Sequence, residues 1–273
     1  MIGRLRRVNV YLRKNGMKAT FRRIMGDTVR YARNTPQRLR YQEFQQRLKG
    51  RDAQDVFVEI YERNLWESGE SRSGIGSEAA ATENIRSHLP LIFEKFKISS
   101  MLDAPCGDFN WMRMVPIPSE MSYLGWDIVP QVIQSNNEKY ANQQRRFAVA
   151  NMLVSEYPRV DLMMCRDCLF HFSHKDICRT LESFVTSGIP YLFTTTHAAR
   201  DSSTNTDIET GYFRRIDLFS EPFMFPRDVL YRIDDFAPNH LAREICLWNR
   251  SQAELGLANL RSFIAATGSR VSS

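Results

Sequence analysis

Three polar residues fall at equal intervals along the middle of the chain. Asp103, Asp127 and Asn151 stand twenty-four residues apart in turn, and Arg166 and Asp167 follow fifteen and sixteen residues after the last of them. Each closes a short apolar run, so each reads as the end of a strand. In an open parallel sheet, ligands bind beyond the carboxyl ends of the strands. Asp103 offers a fixed carboxylate there, and the turn after it, with Pro105 and Gly107, lets backbone approach a ligand closely. Asp127 stands where a carboxylate takes both ribose hydroxyls of a nucleotide. The side-chain carbonyl of Asn151 can accept from an adenine amino group. Arg166, Asp167 and His171 stand where the fourth strand meets a substrate pocket, and either Asp167 or His171 could take a proton from a hydroxyl or amine.

The elements that must position these residues alternate. Apolar strands are expected at 100–103, 123–127, 146–150, 160–165 and 191–196, with helices at 85–96, 129–140 and 175–187 between them. Strands separated by helices imply right-handed crossovers and a parallel sheet, so the fold class is α/β, with helices on both faces. A final strand is expected at 244–249. The intervening polar segment, 198–225, is long for a compact domain, and its aromatics and prolines suit a substrate cover. Asn205, Asp207, Tyr212 and Arg214 on that cover are expected to meet the substrate.

Charge divides the chain. Residues 1–50 hold 14 Lys and Arg against Asp27 and Glu43, a local charge of +12, whereas the whole chain carries +6. A basic amphipathic helical arm and linker, 1–50, is therefore expected on a mildly acidic body, 51–273. The arm's apolar stripes, Ile2, Leu5, Val8 and Leu12 followed by Met17, Phe21 and Val29, lie among basic residues, as on a helix that rests on an anionic membrane surface. The alternative is an RNA- or phosphate-backbone-binding protein whose sheet is a non-catalytic scaffold. No run is long and apolar enough to span a bilayer, and no secretory leader is visible at the start. Five cysteines make no disulfide framework, which suits a reducing, cytoplasmic setting.

In its motifs the chain resembles the class I S-adenosylmethionine-dependent methyltransferases. Residues 102–112 (LDAPCGDFNWM) look like the family's first motif, 123–127 (YLGWD) its second, 147–151 (FAVAN) its third and 161–167 (DLMMCRD) its fourth. The Pro-Cys-Gly-Asp form of the first motif is similar to that of a bacterial subgroup with an upstream Ser-Gly-x-Gly-Ser segment, here Ser73 to Ser77. The resemblance implies a Rossmann-like sheet and S-adenosylmethionine as cofactor. It places Asp103 and Gly107 at the methionine part, Asp127 at the ribose, and Asn151 with Met152 at the adenine. It divides the body into a lid segment (51–81), a cofactor-binding core (82–197) and a substrate cover with the final strand (198–250). The expected activity is methyl transfer to a small-molecule or glycan-like acceptor, with Arg166 at its strand end and Asn205, Asp207, Tyr212 and Arg214 on the cover around that acceptor. A nicotinamide cofactor would want a Gly-x-Gly-x-x-Gly turn, which residues 103–109 lack. Cys165, Cys168, His171 and His174 recur every third residue, too close together for four ligands to converge on zinc, so no metal is expected and the two cysteines are read as core.

Overall fold

The structure is a computed structural model describing residues 43, 46–47, 49–197, 201–236 and 242–271. The chain divides into two units, Met1–Gly50 and Arg51–Ser273. The expected helical stripes of the arm lie outside the described residues.

The second unit is built on one seven-stranded sheet in the order β3-β2-β1-β4-β5-β7-β6. Its strands are β1 (Ser100–Asp103), β2 (Ser122–Asp127), β3 (Arg145–Val149), β4 (Leu162–Cys165), β5 (Tyr191–His197), β6 (Tyr231–Asp234) and β7 (Arg243–Asn249). The first five run parallel, and β7 enters antiparallel between β5 and β6. The helices are α1 (Ala53–Glu62), α2 (Glu83–Lys95), α3 (Pro130–Tyr140), α4 (His174–Ser187) and α5 (Arg250–Val271). The fold is thus the Rossmann-like α/β arrangement expected. Three elements went unread in the sequence: α1, β6 and the C-terminal helix α5.

The central strands are apolar on both sides because both faces are covered. Alternate residues go to opposite cores. Met101, Leu162 and Met164 join the core with Ile85, Leu89 and Ile92 of α2. Leu102, Met163 and Cys165 join the core with Ile177 and Leu181 of α4 and Leu257 and Leu260 of α5. At roughly 1.5–3 kcal/mol for each large side chain buried, these two layers supply most of the favourable free energy. Register is pinned at the opposite end from the strand tips: Asp161 Oδ2 accepts from the backbone N–H groups of Ser99 and Ser100 at 2.8 and 2.9 Å, locking the start of β1 to that of β4. With register fixed there, Asp103 comes level with Gly125 on one side and Met164 on the other.

Candidate active site

β1 and β4 are neighbours, but the chain leads from β1 towards β2 on one side and from β4 towards β5 on the other. That reversal opens a crevice at the strand ends. A cavity of about 850 Å³, part of it open to solvent, fills the crevice. Asp103, Gly107, Asp127, Met152, Arg166, Asp167 and His171 all line it.

Asp103 is 2% exposed and accepts a 2.7 Å hydrogen bond from the Tyr123 hydroxyl. Burial pushes its carboxyl up to about 7, against the pull of that bond and of the Arg166 charge. Asp127 accepts from the backbone N–H groups of Gly107 and Val129 at 3.1 and 3.0 Å. Burial outweighs these bonds too and raises its carboxyl to about 6. Both carboxylates have gained too few partners to offset lost hydration, so a cation or paired hydroxyl donors arriving in the cavity would find acceptors that gain by their arrival.

The turn after β1 places Gly107 on the cavity wall and fits it closely to a second segment. Its left-handed φ of 55° requires a glycine or a strained residue. The space beside its Cα, however, is filled by Ser73 Oγ rather than left open to a ligand. That same oxygen accepts from the backbone N–H of Asp108 at 2.9 Å. The Asp108 carboxylate in turn accepts from Ser71 Oγ and the backbone N–H of Arg72, both at 2.9 Å. Segment 71–77 is therefore clamped onto the turn, and Ser73 and Ser77 form part of the cavity wall. Behind the turn, Asn136 of α3 donates to the Gly107 carbonyl at 2.8 Å.

At the far end of the cavity the charged groups cancel. Arg166 donates to both oxygens of Asp235 at 2.8 and 3.0 Å and to the Gly76 carbonyl at 2.9 Å, with its guanidinium 5.1 Å above the Trp111 ring. Arg243 Nη2 lies 2.9 Å from Asp167 Oδ2 as an ion pair, and Arg166 Nη1 lies 3.5 Å from the same residue. Gly76 must be glycine, because a Cβ there would meet Asp167 Oδ2 at 2.6 Å. Burial alone would raise the Asp167 carboxyl, but the two arginines outweigh it and hold it below the usual carboxylate range. Asp167 is thus occupied by two arginines, whereas His171 keeps a ring nitrogen open, so geometry favours His171 over Asp167 as the proposed base. Arg166 is likewise a strut for segment 71–77, its donors engaged by Asp235 and Gly76, and not an open substrate contact.

His171 is differently placed. Its Nδ1 can bond the Tyr212 carbonyl, 2.9 Å away, only as a donor, so Nε2 is the ring's acceptor. Nε2 has no hydrogen-bond partner among the described residues. Burial lowers the His171 pKa to about 4, partly offset by the Tyr212 bond and by Asp167, so the ring is neutral at neutral pH. The Trp66 ring stands 5.6 Å from it, tilted by 31°.

Several expected contacts lie elsewhere. Asn151 does not line the cavity; its Oδ1 accepts from the Leu153 N–H at 3.0 Å and shapes a turn. Asn205, Asp207, Tyr212 and Arg214 also stay out of the cavity wall. Asn205 donates to the carbonyls of Asp217 and Glu221 at 2.8 and 2.7 Å, and Asp207 accepts from the His174 N–H at the start of α4 at 2.7 Å. Arg214 is 2% exposed and donates to the Leu169 carbonyl at 3.0 Å. Tyr212 matters through its carbonyl, which orients His171. Asn205, Asp207 and Arg214 thus hold the segment in place by hydrogen bonds and do not line the cavity. Cys165 and Cys168 belong to the core, Cys168 at the cavity wall. Trp66, Trp111, Asp235 and Arg243, which shape the far end, had no signal in local spacing.

No protein-family model matches the chain, and no curated protein matches it. Among solved structures, magnesium protoporphyrin IX methyltransferase from Synechocystis, with bound S-adenosylhomocysteine, superposes with a TM-score of 0.51 at 9% identity, over 73% of this chain and 100% of that one. A S-adenosylmethionine-dependent methyltransferase from Leishmania major superposes with a TM-score of 0.51 at 15% identity, over 74% of this chain and 87% of that one. At such identities the likeness is one of architecture, and it agrees with the strand order and the strand-end cavity: this chain has the Rossmann-like fold of the class I S-adenosylmethionine-dependent methyltransferases.

Proposed function

We propose that the protein transfers a methyl group from S-adenosylmethionine to a small-molecule or glycan-like acceptor. The observation that carries this reading is the pair of buried carboxylates, Asp103 and Asp127, at adjacent strand ends on one cavity wall, with a neutral histidine at the cavity's other end. When bound, S-adenosylmethionine supplies an electrophilic methyl group on a positively charged sulfur. The donor set suits it: Asp127 accepts from the ribose hydroxyls, Asp103 faces the charged methionine part, and Met152 with Val129 and Val132 gives an apolar slot for the adenine. Segment 71–77 closes over this end as a lid. His171 takes the acceptor's proton, and alignment within the cavity supplies much of the remaining rate.

Titration calorimetry tests the reading. S-adenosylhomocysteine should bind and NAD should not, and Asp127→Ala should weaken binding by roughly 1–3 kcal/mol through loss of charge-assisted hydrogen bonds. Failure of a folded protein to bind S-adenosylhomocysteine overturns it.

We further infer that residues 1–50 attach the enzyme to an anionic membrane surface in the cytoplasm, a reading supported by their +12 charge and apolar stripes. Sedimentation with vesicles should need anionic lipid and fail when residues 1–50 are deleted. Binding to RNA that ignores lipid would overturn this.

A further inference from the structure

The far end of the cavity has a chemical character of its own, and its reading rests on the methyl-transfer function above. We propose that the acceptor is an uncharged alcohol or phenol carried on an apolar body. Two guanidiniums, Arg166 and Arg243, stand against two carboxylates, Asp167 and Asp235, so this end presents no net charge to a substrate. Arg72, the other arginine on the wall, donates Nη1 to the carbonyls of Tyr61 and Glu62 at 3.2 Å each, closing the end of α1. With Asp103 and Asp127 occupied by the cofactor, a carboxylate or ammonium acceptor would give up its hydration here without gaining a counter-ion. A hydroxyl would not, because the Nε2 of His171 is an acceptor matched to one O–H donor.

The apolar body follows from the rim. Trp66 and Trp111 wall the end itself. On the lid between the wall residues Ser73 and Ser77, Ile75 is 49% exposed, and Phe213 is 45% exposed with its ring 6.0 Å from the wall residue His171. Exposed apolar side chains next to residues of the cavity wall mark a place where apolar ligand surface leaves water. In the transfer, a lone pair of the hydroxyl oxygen forms the new O–CH3 bond while the donor's C–S bond breaks and its electrons remain on sulfur. The O–H proton passes to His171 Nε2 and from there to water. One positive charge is present throughout, first on sulfur and then on the imidazole, so the paired arginines and carboxylates need not rearrange.

Four ligands of one ring size separate the possibilities: phenol, 4-hexylphenol, 4-hydroxybenzoate and tyramine, each titrated against the full chain by calorimetry alongside S-adenosylhomocysteine. The hexyl compound should bind most tightly, with the charged congeners about tenfold or more weaker. Ile75→Asp and Phe213→Ser should each weaken 4-hexylphenol by about tenfold and leave phenol unchanged, with melting temperatures confirming folded variants. Preference for a charged congener, indifference to the hexyl chain, or binding insensitive to both variants overturns the proposal. Binding of S-adenosylhomocysteine with none of the phenols overturns the acceptor class and leaves the methyl-transfer reading standing; absence of both brings down that reading itself.

Discussion

The hydroxyl of Ser73 occupies the space in which a side chain on Gly107 would stand. The lid and the first strand-end turn therefore fit together only while position 107 lacks a Cβ, and the backbone there is left-handed as well. Gly107→Ala should cost about 1–3 kcal/mol of stability through φ strain and displacement of the lid. It should also weaken S-adenosylhomocysteine binding by about tenfold or more, read by calorimetry. Adding Ser73→Gly should restore part of the affinity; a double variant no better than Gly107→Ala would show that strain alone accounts for the loss.

The second prediction separates His171 from Asp167. Replacing a base that acts only in the transition state lowers turnover and leaves ligand affinity in place. His171→Ala should reduce kcat by a factor of about 10² to 10⁴ with little change in S-adenosylhomocysteine affinity. Asp167→Asn should instead show itself in stability, losing on the order of 3 kcal/mol because Arg243 and Arg166 would be left to share the single carboxylate of Asp235. Thermal melts and turnover of both variants decide it, and a stable, inactive Asp167→Asn would reverse the assignment.

Acidity offers a third test, through Asp103. Its carboxyl is raised to about 7 in the folded protein, far above its unfolded value, so the unfolded chain gives up this proton first. The contribution of Asp103 to stability therefore falls as pH rises from about 4 to about 7 and stays low above that. His171 and His197 run the other way: both are lowered to about 4, so their contribution is lost as pH falls below about 6.5. The parent and Asp103→Asn share the histidines, and their difference isolates the carboxylate. Asp103→Asn should gain melting temperature relative to the parent as pH rises from 5 to 8. A cationic ligand beside Asp103 should moreover release a proton on binding between about pH 6 and 7, visible as a buffer-dependent calorimetric enthalpy.

Arg166 anchors the other end of the lid at the Gly76 carbonyl while paired with Asp235. Lysine keeps the charge but cannot reach both partners with a planar fork. Arg166→Lys should raise amide hydrogen exchange across 71–77 by about tenfold, with exchange in β1 and β2 unchanged. Unchanged lid exchange would mean that Asp108 suffices to hold the segment.

Much of this was legible beforehand, and the reason is local. β1, β2, β5 and the helices between them bury one stripe or one run each, and their ends were read to within a residue or two because polar residues mark them. β6 has only Ile233 buried among its four residues, too weak a pattern to stand out. Asp103 and Asp127 line the cavity as read because a strand end is a position that sequence can mark, and His171 follows the end of β4 by six residues. Asn151, Asn205 and Asp207 were misread for the same kind of reason: a polar residue at a turn satisfies backbone as readily as it greets a ligand, and only coordinates distinguish the two. The partnership of Arg166 with Asp235 spans sixty-nine positions and has no local signature.

The β6–β7 hairpin gives the site a temporal order. Asp235 and Arg243 leave the ribosome long after Asp103, Asp127 and the lid residues they help to hold. In a chain that ends before them, Arg166 lacks Asp235 and Asp167 lacks Arg243, so the guanidinium that holds the Gly76 carbonyl is itself unsupported. Competence to close over a ligand thus waits on residues that follow both cofactor carboxylates by more than a hundred positions.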